Sequence, residues 1–341
     1  MREQTREKAI MILIGFMLMF TCNIATAQHL WDYLPPKGYV AFKAEQPLVI
    51  DGKPDKAWDN APWSDYFIDI EGDKNPKPRF KTRMKMLWDD KFLYVYAEME
   101  EPNVVGEQTI RDATIYLEND FEMFIKPSEP TPHYGEFEVN ALGTFWDLFF
   151  MRPYRSGPNL TNSWDMREIK IGVDIKGTIN NPNDKDEGWN VEIAFPWKAL
   201  NDLGNKGYFV DGMIWRVNFS RVQYGEKQDN WTWTHQRVIN MHEPEHWGYV
   251  QLSDKPRGTV EFKRPEEEPI MSTLFYLFRA KKENMEAKSI KELIGDDTIK
   301  VKGITMKAEL QHYLYGFHII LTNVENGKKY VIDEREQILE I

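Results

Sequence analysis

HEPEHWGYVQL, residues 242–252, has two readings that lead to different folds. His242, Glu243 and His246 satisfy the H-E-x-x-H rule, which binds zinc when a helix carries both imidazoles on one face and leaves the glutamate as base. Pro244 stands inside that turn. It removes a backbone donor, clashes with the carbonyl four residues back at a cost of about 3 kcal/mol or more, and drives Glu243 toward extended geometry. The flanks WTWTHQRV and WGYVQL are aromatic or β-branched and alternate as strands do. The stretch therefore reads as a loop entering a strand, and a helical zinc site is set aside.

The same texture extends in both directions. From residue 39 to 253, short alternating runs are separated by turn residues, which implies an all-β sandwich or barrel. Thr82–Trp88 and Phe92–Met99 flank Asp89, Asp90 and Lys91 as a hairpin. Further strands are expected over 121–125, 136–140, 145–151, 168–175, 189–195, 214–222, 231–234 and 249–252, with a short helical turn at 196–203 that starts on proline. Residues 254–268, charged and proline-rich, read as a linker. Beyond it, 269–341 reads as a small α+β unit of one helix and about three strands, with Met271, Leu274, Phe275, Phe278 and Met285 on one helical face and Asn326-Gly327 as a hairpin turn.

The chain has 341 residues, 42% of them hydrophobic, with 12 Trp, 15 Tyr and 19 Phe. That aromatic surplus suits stacking on flat apolar faces as well as core packing. Residues 1–27 carry a basic start, an apolar run and an Ala25-x-Ala27 end, the form of a signal peptide, so the chain is expected to be exported. Removal of that segment takes Cys22 with it and leaves no disulfide framework. No later run approaches the roughly 20 apolar residues of a membrane span. A net charge of −11 without basic runs argues against nucleic acid as a partner.

Six blocks now fall into an order of their own: IDGKPDKAW (50–58), MLWDDKFLYVYAEMEEP (86–102), NDFEMFI (119–125), FEVNALGTFWD (137–147), EGWNVEIAFPWKAL (187–200) and HEPEHWGYVQL. In this order they resemble the family 9 carbohydrate-binding modules, particularly the family-9-like proteins exported by Bacteroidetes-type bacteria. The resemblance implies an immunoglobulin- or jelly-roll-like β-sandwich that grips a sugar between aromatic rings while charged and amide groups bond its hydroxyls. A pyranose has an apolar C–H face for the ring and hydroxyls that need fixed polar partners. Position by position, the first aromatic falls on Tyr116 and the acid six residues later on Glu122. The polar pair falls on Glu138 and Asn140, where Glu138 replaces a basic residue. The second aromatic falls on Met241, which cannot stack as a ring does, so Trp231, Trp247 and Trp146 are the candidates for that face. Trp189, Trp197 and Trp233 read as core, and Arg221 and His242 as structural or solvated.

Relatives that bind calcium draw attention to Asp184, Asp186 and Glu187, a loop cluster without EF-hand spacing. Three functions follow. Non-catalytic carbohydrate binding in glycan catabolism is the first. Glycoside hydrolysis by Glu122 and Glu138 is the second, and would need the two carboxyls to flank a cleft. A non-covalent haem sandwich, with Met241 as axial ligand, is the third.

Overall fold

The computed structural model describes residues 33–127, 131–157, 159–204 and 209–341, so the expected signal peptide lies outside the described residues. The chain divides into two compact units, a larger one over Pro36–Pro265 and a smaller one built mainly from Glu266–Glu334 and Ile338–Ile341.

The larger unit is a β-sandwich of thirteen strands: β1 Gly38–Lys43, β2 Ile68–Asp69, β3 Thr82–Trp88, β4 Phe92–Glu100, β5 Asp120–Pro127, β6 Tyr134–Asn140, β7 Phe145–Phe150, β8 Leu160–Thr161, β9 Lys170–Lys176, β10 Gly188–Pro196, β11 Ile214–Gln223, β12 Asp229–Thr232 and β13 Gly248–Ser253. Their order is β8-β7-β6-β5-β11-β13-β1-β3-β4-β10-β9, with β12 beside β11 and β2. Hydrogen bonding runs from one layer to the other through β13 and β1, which pair in parallel.

Alternation decides the layering. Phe121, Met123 and Ile125 of β5, Phe137 and Val139 of β6, and Val217 and Phe219 of β11 point inward. They meet Val95 and Ala97 of β4 and Val191 and Ile193 of β10 in one apolar core. The hairpin predicted around Asp89–Lys91 joins β3 to β4, with the Asp89 carboxylate accepting from the N–H groups of Lys91 and Phe92 at 2.7 and 2.8 Å.

Both outer faces are also covered, which alternation does not foretell. Outside β3, β4 and β10, Trp58 joins Phe42, Leu48, Leu87, Tyr94 and Tyr96 in a second buried cluster. Its indole Nε1 donates to Glu192 Oε1 at 2.7 Å, and the N–H groups of Asp51 and Gly52 donate to Oε2 of the same carboxylate. The 50–58 block is thus a latch closed on β10. Gly52 is required in it: its φ is +86°, and an added Cβ would lie 2.5 Å from the backbone of Val173 and Asp174. Outside β5, β6 and β7, Phe124, Tyr134, Leu148 and Phe150 are buried with Ile70, Met241 and Trp247.

Residues 254–265 belong to the larger unit, and the Phe262 ring stacks on Tyr249 at 6.1 Å. The smaller unit contains α1 Glu268–Glu283, α2 Ile290–Ile294 and a five-stranded antiparallel sheet of β14 Thr298–Val301, β15 Ile304–Tyr313, β16 Gly316–Asn323, β17 Lys329–Ile332 and β18 Ile338–Glu340. The expected three strands are therefore five. Leu274, Phe275 and Phe278 pack onto the sheet, whereas Met285 lies beyond the end of α1 and is exposed. No helix among the described residues is long and apolar enough to cross a membrane.

Candidate functional site

Residues 242–252 form one 3-10 turn, Pro244–His246, leading directly into β13. Tyr134 Oη and His242 Nδ1 lie 2.8 Å apart, and burial depresses the His242 pKa to about 3. Glu243, Glu245 and His246 do approach one another, but Arg155 Nη1 pairs with Glu243 at 2.5 Å. The turn is a structural closure over the outer face of β5 and β6.

The outer face of β7-β6-β5-β11 carries the candidate site. Period two sends Asp120, Glu122 and Phe124 of β5 to that face, and register sets Asn140, Glu138 and Glu136 of β6 directly opposite them. On the far side of β5, Ser220 of β11 opposes Glu122; on the far side of β6, Trp146 of β7 opposes Glu138. Two zones result. The end beyond Phe124 is apolar and covered by the 241–247 segment, the other end gathers the buried carboxyls of Asp120, Glu122 and Glu138, and a fourth buried carboxyl, Glu136, stands opposite Phe124 where the two zones meet.

Tyr116 borders the acidic zone. It sits in the 3-10 turn Ile115–Leu117, donates its N–H to Glu138 Oε2 at 2.9 Å and accepts from the Tyr224 hydroxyl at 3.0 Å. The residue is 43% exposed, and its ring stacks on Trp146 with centroids 6.3 Å apart and planes inclined by 23°. This is an offset stack, so the two rings form a platform and leave no slot between them. Glu122, Glu138, Tyr116 and Trp146 are thereby brought to one place.

Four other sequence candidates are corrected. Trp231 is buried in the sandwich core, against Phe80 and beneath the Arg221 guanidinium. Trp247 is fully buried, its ring against Phe124 and Tyr134 and its Nε1 donating to the Met241 carbonyl at 2.9 Å. Neither offers a face to a sugar. Met241 is packed into the same apolar cluster, so neither a stacking surface nor a projecting haem ligand is formed there. Asn140 does lie on the outer face, but its amide is spent on the loops beside it. Nδ2 donates to the Gln108 carbonyl and Glu118 Oε1, and Oδ1 accepts from Leu142 and Thr144. A sugar hydroxyl would find no vacancy on it.

The calcium loop does not fit its ion either. Asp184 and Glu187 are exposed, while the buried Asp186 accepts backbone N–H bonds on both oxygens, from Thr178 and Val104. Arg221 is fully buried and bonds Thr82, Gln223 and Glu101.

Burial dominates the acidity of the carboxyl group. Desolvation lifts Glu122 to about 7, partly offset by the Ser220 and Asp120 side chains. Asp120, Glu136 and Glu138 are raised by burial first and then by one another's charge. Asp120, Glu136 and Ser220 were not singled out in the sequence. Asp120 and Glu136 each stand two residues before a candidate acid, so period two carried that signal; Ser220 needs the β5–β11 register. Alongside, a cleft of about 350 Å³ is lined by Phe80, Glu101, Asn103, Gln223 and Tyr224, among others, and shares Tyr224 with the platform's edge.

Residues 50–255 match the family described as carbohydrate family 9 binding domain-like. The chain belongs to that family. The chain is 24% identical over 218 residues to endo-1,4-beta-xylanase A of Thermoanaerobacterium saccharolyticum, an alignment spanning 62% of this chain and 16% of the xylanase. Over 77 residues it is 32% identical to endo-1,4-beta-xylanase C of Paenibacillus barcinonensis, 23% of this chain and 6% of that enzyme. The chain thus spans under a fifth of the length of these relatives. A solved structure from Bacteroides uniformis, described as a candidate carbohydrate-binding protein, superposes with a TM-score of 0.52 at 14% identity and covers 64% of this chain and 99% of its own. That likeness is one of fold.

Proposed function

We propose that this family-9 domain is a non-catalytic carbohydrate receptor, and that the exported protein serves glycan catabolism by holding a saccharide on the Tyr116–Trp146 platform. The observation that carries the reading is a half-exposed ring pair beside buried hydrogen-bonding groups on the outer face of a sandwich whose family is described as carbohydrate-binding-domain-like. A sugar's C–H face would lie on the Tyr116 ring. Its hydroxyls would meet the carboxyl edge and, further along, the cleft lined by Asn103 and Gln223.

Hydrolysis is disfavoured by direction. Glu122 and Glu138 leave the same sheet face from directly opposed positions, so they stand side by side with oxygens within 4.8 Å. A retaining pair of carboxyls, about 5 to 5.5 Å apart, must instead flank the scissile bond, and an inverting pair needs about 6.5 to 9.5 Å. The two xylanases are similar to this chain over only 16% and 6% of their lengths, and their activity does not carry over with that portion.

Calorimetry against plant, algal and host glycans tests the proposal. Wild-type protein is expected to bind at least one of them, with Tyr116→Ala and Trp146→Ala each weakening it about two- to tenfold, as loss of an aromatic stacking contact of roughly 0.5–1.5 kcal/mol implies. Unaltered affinity in both variants would move the binding face elsewhere.

A further inference from the structure

The acidic zone holds more charge than hydroxyl recognition needs. Asp120, Glu122 and Glu138 each bring a carboxylate oxygen to within 4.8 Å of the others, and all three side chains are buried. Glu136 adds a fourth carboxyl on the same face. Such crowding is unfavourable for anions out of water, and a neutral core of like volume would fold with less cost.

The second observation concerns unmet bonds. Asp120 Oδ2, Glu122 Oε2 and the Ser220 hydroxyl are buried without a hydrogen-bond partner. Ser220 is not an acid at all, yet it lies fully buried across from Glu122, close enough to act on that carboxyl but without a well-formed hydrogen bond to it. Buried polar atoms without partners are rare in native structures and often mark an ion or water. The remaining oxygens are positioned from outside the group: Asp120 Oδ1 accepts from the Val222 N–H at 2.9 Å, and Glu138 Oε2 from Tyr116. The lysine on the same face, Lys126, stands four residues from Glu122 along β5, beyond Phe124.

Size and ligand chemistry together limit the occupant. Two oxygens bound to one ion can be separated by at most twice the metal–oxygen distance, about 4.6–5.2 Å for calcium and about 4.0–4.2 Å for magnesium. The three oxygens lie within 4.8 Å of one another, inside calcium's reach, and magnesium is disfavoured because it demands near-ideal octahedral geometry and gives up its waters reluctantly. An all-oxygen donor set without imidazole or thiolate also excludes a preference for zinc or copper. We infer that Asp120, Glu122 and Glu138, with the Ser220 hydroxyl, form a binding site for a divalent cation of calcium's size beneath the Tyr116–Trp146 platform.

The test uses the whole chain, stripped with chelator, and contains no glycan, so the carbohydrate reading and this one can fail separately. Calcium is expected to raise the Tm of the larger unit by about 5–10 °C once it exceeds its Kd a hundredfold. Magnesium should bind at least about tenfold more weakly. Terbium should bind in calcium's place with luminescence sensitised by Trp146 and Tyr116, reduced by Trp146→Phe. Glu122→Gln with Glu138→Gln keeps side-chain shape, relieves repulsion and should fold, as circular dichroism would verify, while abolishing both calcium and terbium responses. No calcium response in wild type, equal affinity for magnesium, or an undiminished response in the folded double variant would each overturn the inference.

Discussion

Trp58→Ala should destabilise the larger unit by about 3–5 kcal/mol for the lost indole and its cavity, with about 1–3 kcal/mol more for a buried acceptor left short of a donor. Trp58 is the centre of the latch outside β3, β4 and β10. Its ring lies 5.6 Å from that of Tyr96, and its Nε1 is one of three donors to the buried Glu192, whose pKa burial already raises. Trp58→Phe separates the two terms, because it keeps most of the apolar volume and removes only the donor. Its expected cost is about 1–3 kcal/mol. Urea unfolding followed by tryptophan fluorescence reads both variants, since every described tryptophan lies in the larger unit. A loss below about 1 kcal/mol for Trp58→Ala would mean that the 50–58 segment is not closed on β10.

A second large effect is expected at the buried ion pair between β11 and the end of β4. Arg221 Nη2 lies 3.3 Å from Glu101 Oε2 with both side chains about 1% exposed, and Nη1 donates to Thr82 Oγ1 at 2.9 Å. Trp189 Nε1 supplies Glu101 with another donor at 2.8 Å. Burial lowers the Arg221 pKa to about 10, against the pull of Glu101, so the cation is maintained at a desolvation cost. Arg221→Ala should therefore cost about 3–5 kcal/mol, mostly by leaving Glu101 charged and unbalanced. Arg221→Met with Glu101→Gln should recover much of that loss, because the uncompensated charge is gone. If the double variant were as unstable as Arg221→Ala, packing and not charge would be what Arg221 contributes.

These two networks show what could be read along the chain and what could not. The strands were legible because period-two burial holds inside the sandwich: Phe121, Met123 and Ile125 face the core as their spacing predicts. Pro244 was decisive for the same reason, since local sterics alone exclude a helix there. The outer faces were not legible. β5 and β6 are buried on both sides because the 241–247 turn and the segment around Tyr116 lie over them, and a covering loop leaves no period in the strand it covers. Hence nothing local separated Trp247, wedged under that cover, from the half-buried Trp146. Asn140 shares its face and its polarity with Glu138, and only the loops at 108, 142 and 144 show that its amide is already engaged.

The central claim is that a saccharide settles on Tyr116 and Trp146. The indole N–H signals of the nitrogen-15-labelled protein, recorded during titration with a glycan found to bind, test it most directly. Trp146 has a half-buried ring stacked on Tyr116, so a sugar settling on that pair should move its indole signal through the ring, while those of the buried Trp231, Trp233 and Trp247 stay in place. A titration in which Trp146 is unmoved and another indole shifts would contradict the account.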